Sequence, residues 1–137
     1  MDGLRAISAN VDLAVEQLGA LTDFEFGLDA QSVQWVEGFI ERQRTRPDFD
    51  LDTAGGLVGV LGSFLGACIV EATDGAWAWD AESEQWCVRF PSGELAFPFA
   101  KVWKQFEHGY VDSIASFYSF SVDYVAKGLL TRRQPPA

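Results

Sequence analysis

Few side chains in this sequence have a type and spacing that suit catalysis. The single histidine, His108, precedes Gly109 near the predicted end of a helix, where a surface residue that complements the helix dipole is the simpler explanation. Nucleophilic catalysis needs a base beside a nucleophile, and Ser63 lies in an apolar stretch without a GxSxG pattern. The sequence therefore predicts no catalytic residue.

Carboxylates and tryptophans between residues 71 and 86 offer a second chemistry. Glu71, Asp74 and Asp80 could approach one another, and paired carboxylates can act as acid and base. Nearby aromatic rings could stack a sugar or a base, although packing of a sheet face explains them more simply. These rings belong to Trp77, Trp79 and Trp86. The alternative function is thus a small-ligand-binding or hydrolase-like domain that uses Glu71, Asp74 and the tryptophan cluster.

Neither a metal nor a cofactor is expected. Asp48, Asp50 and Asp52 alternate as in part of a calcium loop, but the glycine and the final glutamate of that loop are missing. Cys68 and Cys87 match no zinc or redox spacing. One falls in an apolar helix and the other in a strand, which predicts two reduced, buried thiols.

The charge balance is strongly acidic. Twenty acids against ten bases give a formal net charge of −10, which disfavours nucleic-acid and anionic-membrane binding. Residues 48–100 carry nine acids and one base. The N-terminus lacks a basic stretch followed by an apolar one, so no signal peptide is predicted and the cytoplasm is the expected location.

The predicted partner is a protein with a basic surface. Complementary charge would speed encounter and give selectivity. The predicted binding residues are the acids of two segments: Asp48, Asp50, Asp52, Asp80, Glu82 and Glu84. A solvated surface is the simpler explanation of each segment.

A stretch at residues 54–70 must position these segments. It has seventeen residues without a charge, five of them glycines. On a helix, Gly55, Gly59, Gly62 and Gly66 fall within about 60° of one another. This stripe predicts a buried helix with a groove, approached closely by the aromatic face of a sheet or by a helix at 30–44. A membrane span with a GxxxG face and a phosphate-binding loop are the alternatives. The length of about 26 Å and the acidic flanks disfavour the first, and the glycine spacing disfavours the second.

Helical periodicity recurs on both sides of this stretch. It covers residues 3–21, with a regular part from near Ser8 or Asn10, and residues 30–44, where Asp29 caps the start and three arginines complement the end. Asp52 or Thr53 is predicted to cap the central helix. Pro98 begins another helix that Gly109 ends.

Two segments have less regular patterns. Residues 75–97 alternate around two turns, which predicts a three-stranded antiparallel meander with one buried face containing Trp77, Trp79 and, at its end, Leu95 and Phe97. Asp112 is predicted to cap a last helix that runs to about Lys127 and ends at Gly128. Residues 118–124 also alternate strictly, so a strand at 116–125 remains open.

Together these patterns predict an α+β fold. It has a buried, glycine-rich central helix, a three-stranded antiparallel meander and three further helices. A single domain spans residues 1–130, and residues 131–137 form a frayed, proline-terminated tail.

Several short motifs between Leu61 and Tyr118 resemble those of small, largely uncharacterised bacterial α+β proteins found near toxin and immunity systems. They are LGSFLG at 61–66, WAWD at 77–80, Trp86 with Val88, AFPFAKV at 96–102, FEHG at 106–109 and DSIASFY at 112–118. The resemblance implies an immunity or accessory role and supplies no catalytic residue. It leads to the functional hypothesis of a non-enzymatic protein-binding module that neutralises a basic toxin through its acidic face.

Overall fold

The computed structural model describes residues 2–126, which form five α-helices and one three-stranded antiparallel sheet, so the predicted α+β class is confirmed. The helices are α1 (Asp2–Gly19), α2 (Ala30–Arg44), α3 (Gly55–Ala72), α4 (Pro98–His108) and α5 (Ile114–Ala126). The strands are β1 (Ala76–Asp80), β2 (Gln85–Arg89) and β3 (Leu95–Ala96). Within this part of the chain, four helices rather than three accompany the central helix. The predicted helix end at 127–128 and the tail at 131–137 lie outside the described residues.

Helix α3 is the central helix, and two of its glycines allow neighbours to approach closely. A Cβ atom on Gly62 would lie 3.0 Å from the Cα of Phe99 and would collide with its ring. One on Gly66 would collide with the ring of Trp77 and lie 3.1 Å from Cγ of Pro98. The sheet was predicted as a neighbour and Trp77 confirms it. The alternative neighbour, the helix at 30–44, is wrong, because the start of α4 occupies that groove.

Helix α1 packs along α3 and begins earlier than predicted. It starts at Asp2 and not near Ser8 or Asn10, and Gly3 in its first turn lies against the ring of Trp86. The Asn10 side chain donates to the carbonyl oxygen of Gly59 (3.3 Å), so this residue joins two helices instead of starting one.

The start of α3 also differs from the prediction. Neither Asp52 nor Thr53 caps it; the N-cap is Ala54, which makes no side-chain cap bond. A 3-10 turn at Leu51–Thr53 leads straight into the helix, and the Asp50 side chain caps that turn through the amide of Asp52 (3.0 Å). A continuous run of turns thus replaces the expected side-chain cap.

By length and composition α3 could cross a membrane, with a mean hydropathy of 1.7 over Gly55–Ala72. Half of that window is buried inside the fold, as in the core helix of a soluble protein. Its buried side chains include Leu61, Phe64, Leu65 and Ile69, which lie in one hydrophobic core with residues of α1, α2, α4 and α5.

The meander has the predicted order β1-β2-β3, but its two faces differ from the prediction. Trp79 is 51% exposed, because it lies beyond the hydrophobic core; its ring packs edge-on with that of Trp86 at 5.8 Å between centroids. Leu95 pairs with Arg89, and Ala96 with Val88, so Ala96 and not Leu95 continues the buried face. The turn before β3 contains Gly93 with φ +94°, and a shift of one residue there moves every later side chain to the other face.

After α4 the chain turns sharply through residues 109–113, which form a corner between α4 and α5. Pro98 starts α4, and Gly109 (φ +79°) ends it, both as predicted. Ser113, not Asp112, caps α5, since its hydroxyl accepts from the amide of Ser116 (3.0 Å). The segment 116–125 is helical, because the buried residues Ile114, Tyr118 and Ser121 recur at helical intervals and outweigh its alternation.

Polar side chains of α2 hold this corner in place. Glu37 accepts hydrogen bonds from the Ser113 hydroxyl and from the amide of Ala115 (3.2 Å) at the start of α5. Arg44 donates to the carbonyl oxygens of Phe106 (3.0 Å) and Glu107 (3.2 Å) at the end of α4. The arginine predicted to complement the end of its own helix therefore satisfies carbonyls of another one.

Gln105 completes the same network from inside the core. It is fully buried; its amide nitrogen donates to the Glu37 carbonyl (3.3 Å) and the Glu41 carboxylate (3.1 Å). Its amide oxygen accepts from the backbone of Ile114 (2.9 Å). Among the described residues, no buried side-chain polar atom lacks a partner.

The glycine contacts give a first prediction. Gly62→Leu and Gly66→Leu should each lower the free energy of unfolding by about 1–3 kcal/mol, because the new side chain must displace Phe99 or Trp77. Gly55→Leu is the matched control on the same stripe, since a side chain there meets open space. Urea denaturation followed by tryptophan fluorescence measures the difference. Equal stability of all three variants would contradict the close approach.

The buried amide gives a second prediction. Gln105→Met keeps the side-chain volume but leaves the Ile114 amide unpaired, so it should cost about 1–3 kcal/mol. Lys104→Met changes an exposed neighbour and should change stability by less than about 0.5 kcal/mol. If urea denaturation gives both variants the same midpoint, the network does not stabilise the corner.

Candidate functional site

The first predicted acidic segment lies just before α3. Asp48, Asp50 and Asp52 are all exposed. Asp48 and Asp50 line an open cleft of about 200 Å³. Phe49 and Leu57 form apolar parts of the wall of this cleft. Arg46 also lines it, and its Nε lies 3.6 Å from Oδ1 of Asp48. Asp52 is not among the lining residues, so the structure brings together two of the three predicted acids.

The second acidic segment is the hairpin between β1 and β2. The Asp80 carboxylate accepts from the hydroxyl and the amide of Ser83, and these hydrogen bonds lower the pKa of Asp80 below its ordinary value. Glu82 and Glu84 are exposed, and Glu84 has a left-handed backbone (φ 53°) that suits the tight turn. The hairpin thus presents three carboxylates on a structured turn.

The two segments have separate surroundings. The cleft near Asp48 is lined by residues between Gln43 and Leu57, at the start of α3. The hairpin follows the other end of this 18-residue helix, which is about 27 Å long. Ser83 and Gln85 line a different cavity of about 370 Å³, which also contains Lys101 and Lys104. Lys101 and Lys104 thus share a cavity with the neighbours of Glu84 in sequence, while Arg46 is the base in the cleft.

A smaller polar cluster joins the end of α4 to the corner. Asp112 lies 2.7 Å from Nδ1 of His108 and 3.2 Å from Nζ of Lys101. These contacts lower the pKa of Asp112, His108 being the larger cause. Although the three residues resemble part of a catalytic cluster, their contacts account for the local structure, because they link α4 to the turn that precedes α5.

Both cysteines are free and buried, as expected. Burial raises the pKa of the Cys68 thiol well above its ordinary value, and Asp29 adds to this effect. Burial also raises the pKa of Cys87. Since the thiolate is the reactive form, both residues are suited to packing rather than to nucleophilic chemistry.

The residues of the alternative function do not share one environment. Trp77 packs against Gly66 and against the ring of Phe99 at 5.9 Å, so its position is explained by the core. Trp79 is exposed and contacts Trp86. Glu71 and Asp74 are exposed, and over residues 2–126 no group of three or more His, Cys, Asp or Glu side chains is arranged to hold a metal ion.

One surface feature was missed by sequence reasoning. Leu13 is 46% exposed on α1, off the buried stripe of Ile7, Ala14 and Leu18, and it borders an apolar groove beside α3. The signal was an apolar residue outside the helical stripe, but such single residues are common on protein surfaces.

No match was found when the chain was compared with protein-family models, curated proteins and solved structures. The resemblance of its short motifs to small bacterial proteins near toxin systems therefore stays a prediction.

The Asp112 cluster predicts a specific pH dependence. The pKa of Asp112 is lower in the folded protein than in the unfolded chain. Its ionised form therefore stabilises the fold fully at a pH above the unfolded-state pKa. This stabilisation is lost as the pH falls through the folded-state pKa. Asp112→Asn should therefore lower the urea midpoint near neutral pH, and the difference from wild type should shrink as the pH falls below about 4. Asp123→Asn, at an exposed position of α5, is the control. A difference in urea midpoint between Asp112→Asn and wild type that does not change with pH would contradict this role.

Proposed function

We propose that this protein is a non-enzymatic protein-binding module whose acidic face meets a basic surface on its partner. One observation carries the proposal. Of the six predicted acids, only Asp48 forms an ion pair within the described part of the chain, and all six are at least partly exposed. Apart from the pair of Asp48 with Arg46, no ion pair within residues 2–126 compensates their charge, so a basic partner can neutralise it.

Toxin neutralisation is the concrete form that we propose. In this form the protein acts in the cytoplasm of a bacterium and covers the basic surface through which a toxin acts. The net charge of −10 and the resemblance of residues 61–118 to small proteins near toxin systems support it. Complementary charge accelerates encounter, which benefits a protein that must reach a toxin before the toxin reaches its target.

Charge neutralisation in two separate sets tests the proposal. One variant combines Asp48→Asn, Asp50→Asn and Asp52→Asn, and a second combines Asp80→Asn, Glu82→Gln and Glu84→Gln. A control combines Asp23→Asn, Glu25→Gln and Glu94→Gln, all at exposed positions, so that each variant has a net charge of −7. Asparagine can still accept the hydrogen bonds made by Asp50 and Asp80.

The measurement uses each immobilised protein to capture soluble proteins of the source cell, followed by a salt gradient and mass spectrometry. Basic proteins retained by wild type and control should bind at least one acid variant about tenfold more weakly, since each exposed ion pair contributes up to about 1 kcal/mol. Capture and salt dependence equal to wild type in both variants would contradict the proposed face.

A growth assay tests the toxin form separately. The captured protein is expressed alone and together with wild type or an acid variant. Growth arrest that wild type relieves and the acid variant does not relieve would support neutralisation. A captured protein without effect on growth would contradict this form while leaving protein binding in place.

A further inference from the structure

An apolar groove lies between the C-terminal half of α1 and the N-terminal half of α3. It has a volume of about 330 Å³ and is open to solvent. One side chain in its lining, that of Gln17, is polar, and none is charged. The lining residues are Leu13, Ala14, Gln17, Leu18, Gly56, Leu57, Val60 and Leu61.

This groove adjoins the acidic cleft before α3. Leu57 lines both, so one side chain separates the apolar surface from the cleft that contains Asp48 and Asp50. Asp48 is paired with Arg46, whereas Asp50 has no ion-pair partner among residues 2–126. Glu16 is exposed on α1, one turn after Leu13. Carboxylates therefore lie in the adjoining cleft and, at Glu16, next in sequence to Gln17 of the lining.

We propose that the groove binds an amphipathic helix of the partner protein, with apolar side chains against α1 and α3 and a lysine or arginine directed at Asp50. This proposal rests on the proposed function, because it names the part of a basic partner that is bound. Charge complementarity selects this occupant, because the carboxylates near the groove attract a basic residue that lies beside the apolar side chains of the partner helix.

A helix fits the groove better than an extended peptide. An extended segment needs partners for its backbone amides, and Gln17 is the one polar side chain in the lining. A helix satisfies its own backbone and presents apolar side chains at i and i+4, about 6 Å apart. The lining spans six residues of each helix, 13–18 and 56–61, a rise of about 8 Å that accommodates two such anchors.

Two adjacent glycines provide a matched pair of variants. A Cβ atom added to Gly55 or to Gly56 would meet no other atom within 4 Å, so a phenylalanine side chain at either site begins in open space. Gly56 lines the groove and Gly55 does not. Gly56→Phe should fill the groove, while Gly55→Phe adds the same side chain outside it. Circular dichroism tests whether both variants are folded.

The probe is a displayed library of random peptides of about 16 residues, long enough for a four-turn helix. Wild type should enrich peptides with apolar residues at i and i+4 and a nearby lysine or arginine. A synthetic peptide of the enriched sequence, measured by fluorescence anisotropy, should bind Gly56→Phe at least tenfold more weakly than wild type and Gly55→Phe with unchanged affinity. Asp50→Asn should weaken it about twofold to fivefold at low salt.

The outcomes separate this inference from the proposed function. Enrichment of no peptide, or equal affinity of the peptide for Gly55→Phe and Gly56→Phe, would overturn the groove as a helix site. If the acid variants nevertheless lose their captured protein partner, the proposed function stands without it. If a captured partner binds Gly56→Phe as tightly as wild type, the partner does not use the groove and the inference is wrong.

Two other occupants would also overturn it. Sedimentation velocity that shows a wild-type dimer and a Gly56→Phe monomer would assign the groove to a second copy of this chain. Cosedimentation of wild type, but not of Gly56→Phe, with phosphatidylcholine vesicles would assign it to a lipid surface.

Discussion

The close approach of α4 and β1 to α3 is the contact on which the rest of the molecule depends. Gly62 admits the backbone of Phe99, and Gly66 admits Trp77 together with Pro98. Because Pro98 and Phe99 are the first residues of α4, this contact also fixes where α4 starts. The sheet and the C-terminal helices are thus held on one side of α3, while α1 packs along another. The apolar groove results from this division, since the N-terminal half of α3 is covered less completely than its middle.

Much of the fold followed from local patterns. Helical intervals predicted four helices, Asp29 and Gly109 marked helix ends, and the glycine stripe predicted a tight contact in the core. Such signals depend on residues close in sequence, and a glycine-striped helix without charges is typical of the buried core of a soluble chain.

The errors share a physical cause, which is dependence on tertiary contacts. Whether Trp79 was buried depended on how far the core extends beneath the hairpin. The register of β3 depended on a turn in which Gly93 adopts a left-handed conformation. The Glu37 and Gln105 network joins α2 to residues 64 to 78 positions later, so no local pattern could reveal it. The acidic residues could be assigned to two segments, but the cleft that Asp48 and Asp50 line depends on tertiary contacts and required the structure.

The hydrogen bonds that α2 makes to the corner between α4 and α5 have a consequence for the order of folding. Arg44 and Glu37 reach partners 62 to 78 residues later in the chain. Closing such long loops costs entropy before the contacts form, and non-local contacts slow folding. The contact of α1 with α3 joins residues closer in sequence, such as Asn10 and Gly59, whereas the corner requires α2, α4 and α5 together. During synthesis, the carboxylates and the arginine of α2 can therefore form these hydrogen bonds only after most of the chain has emerged.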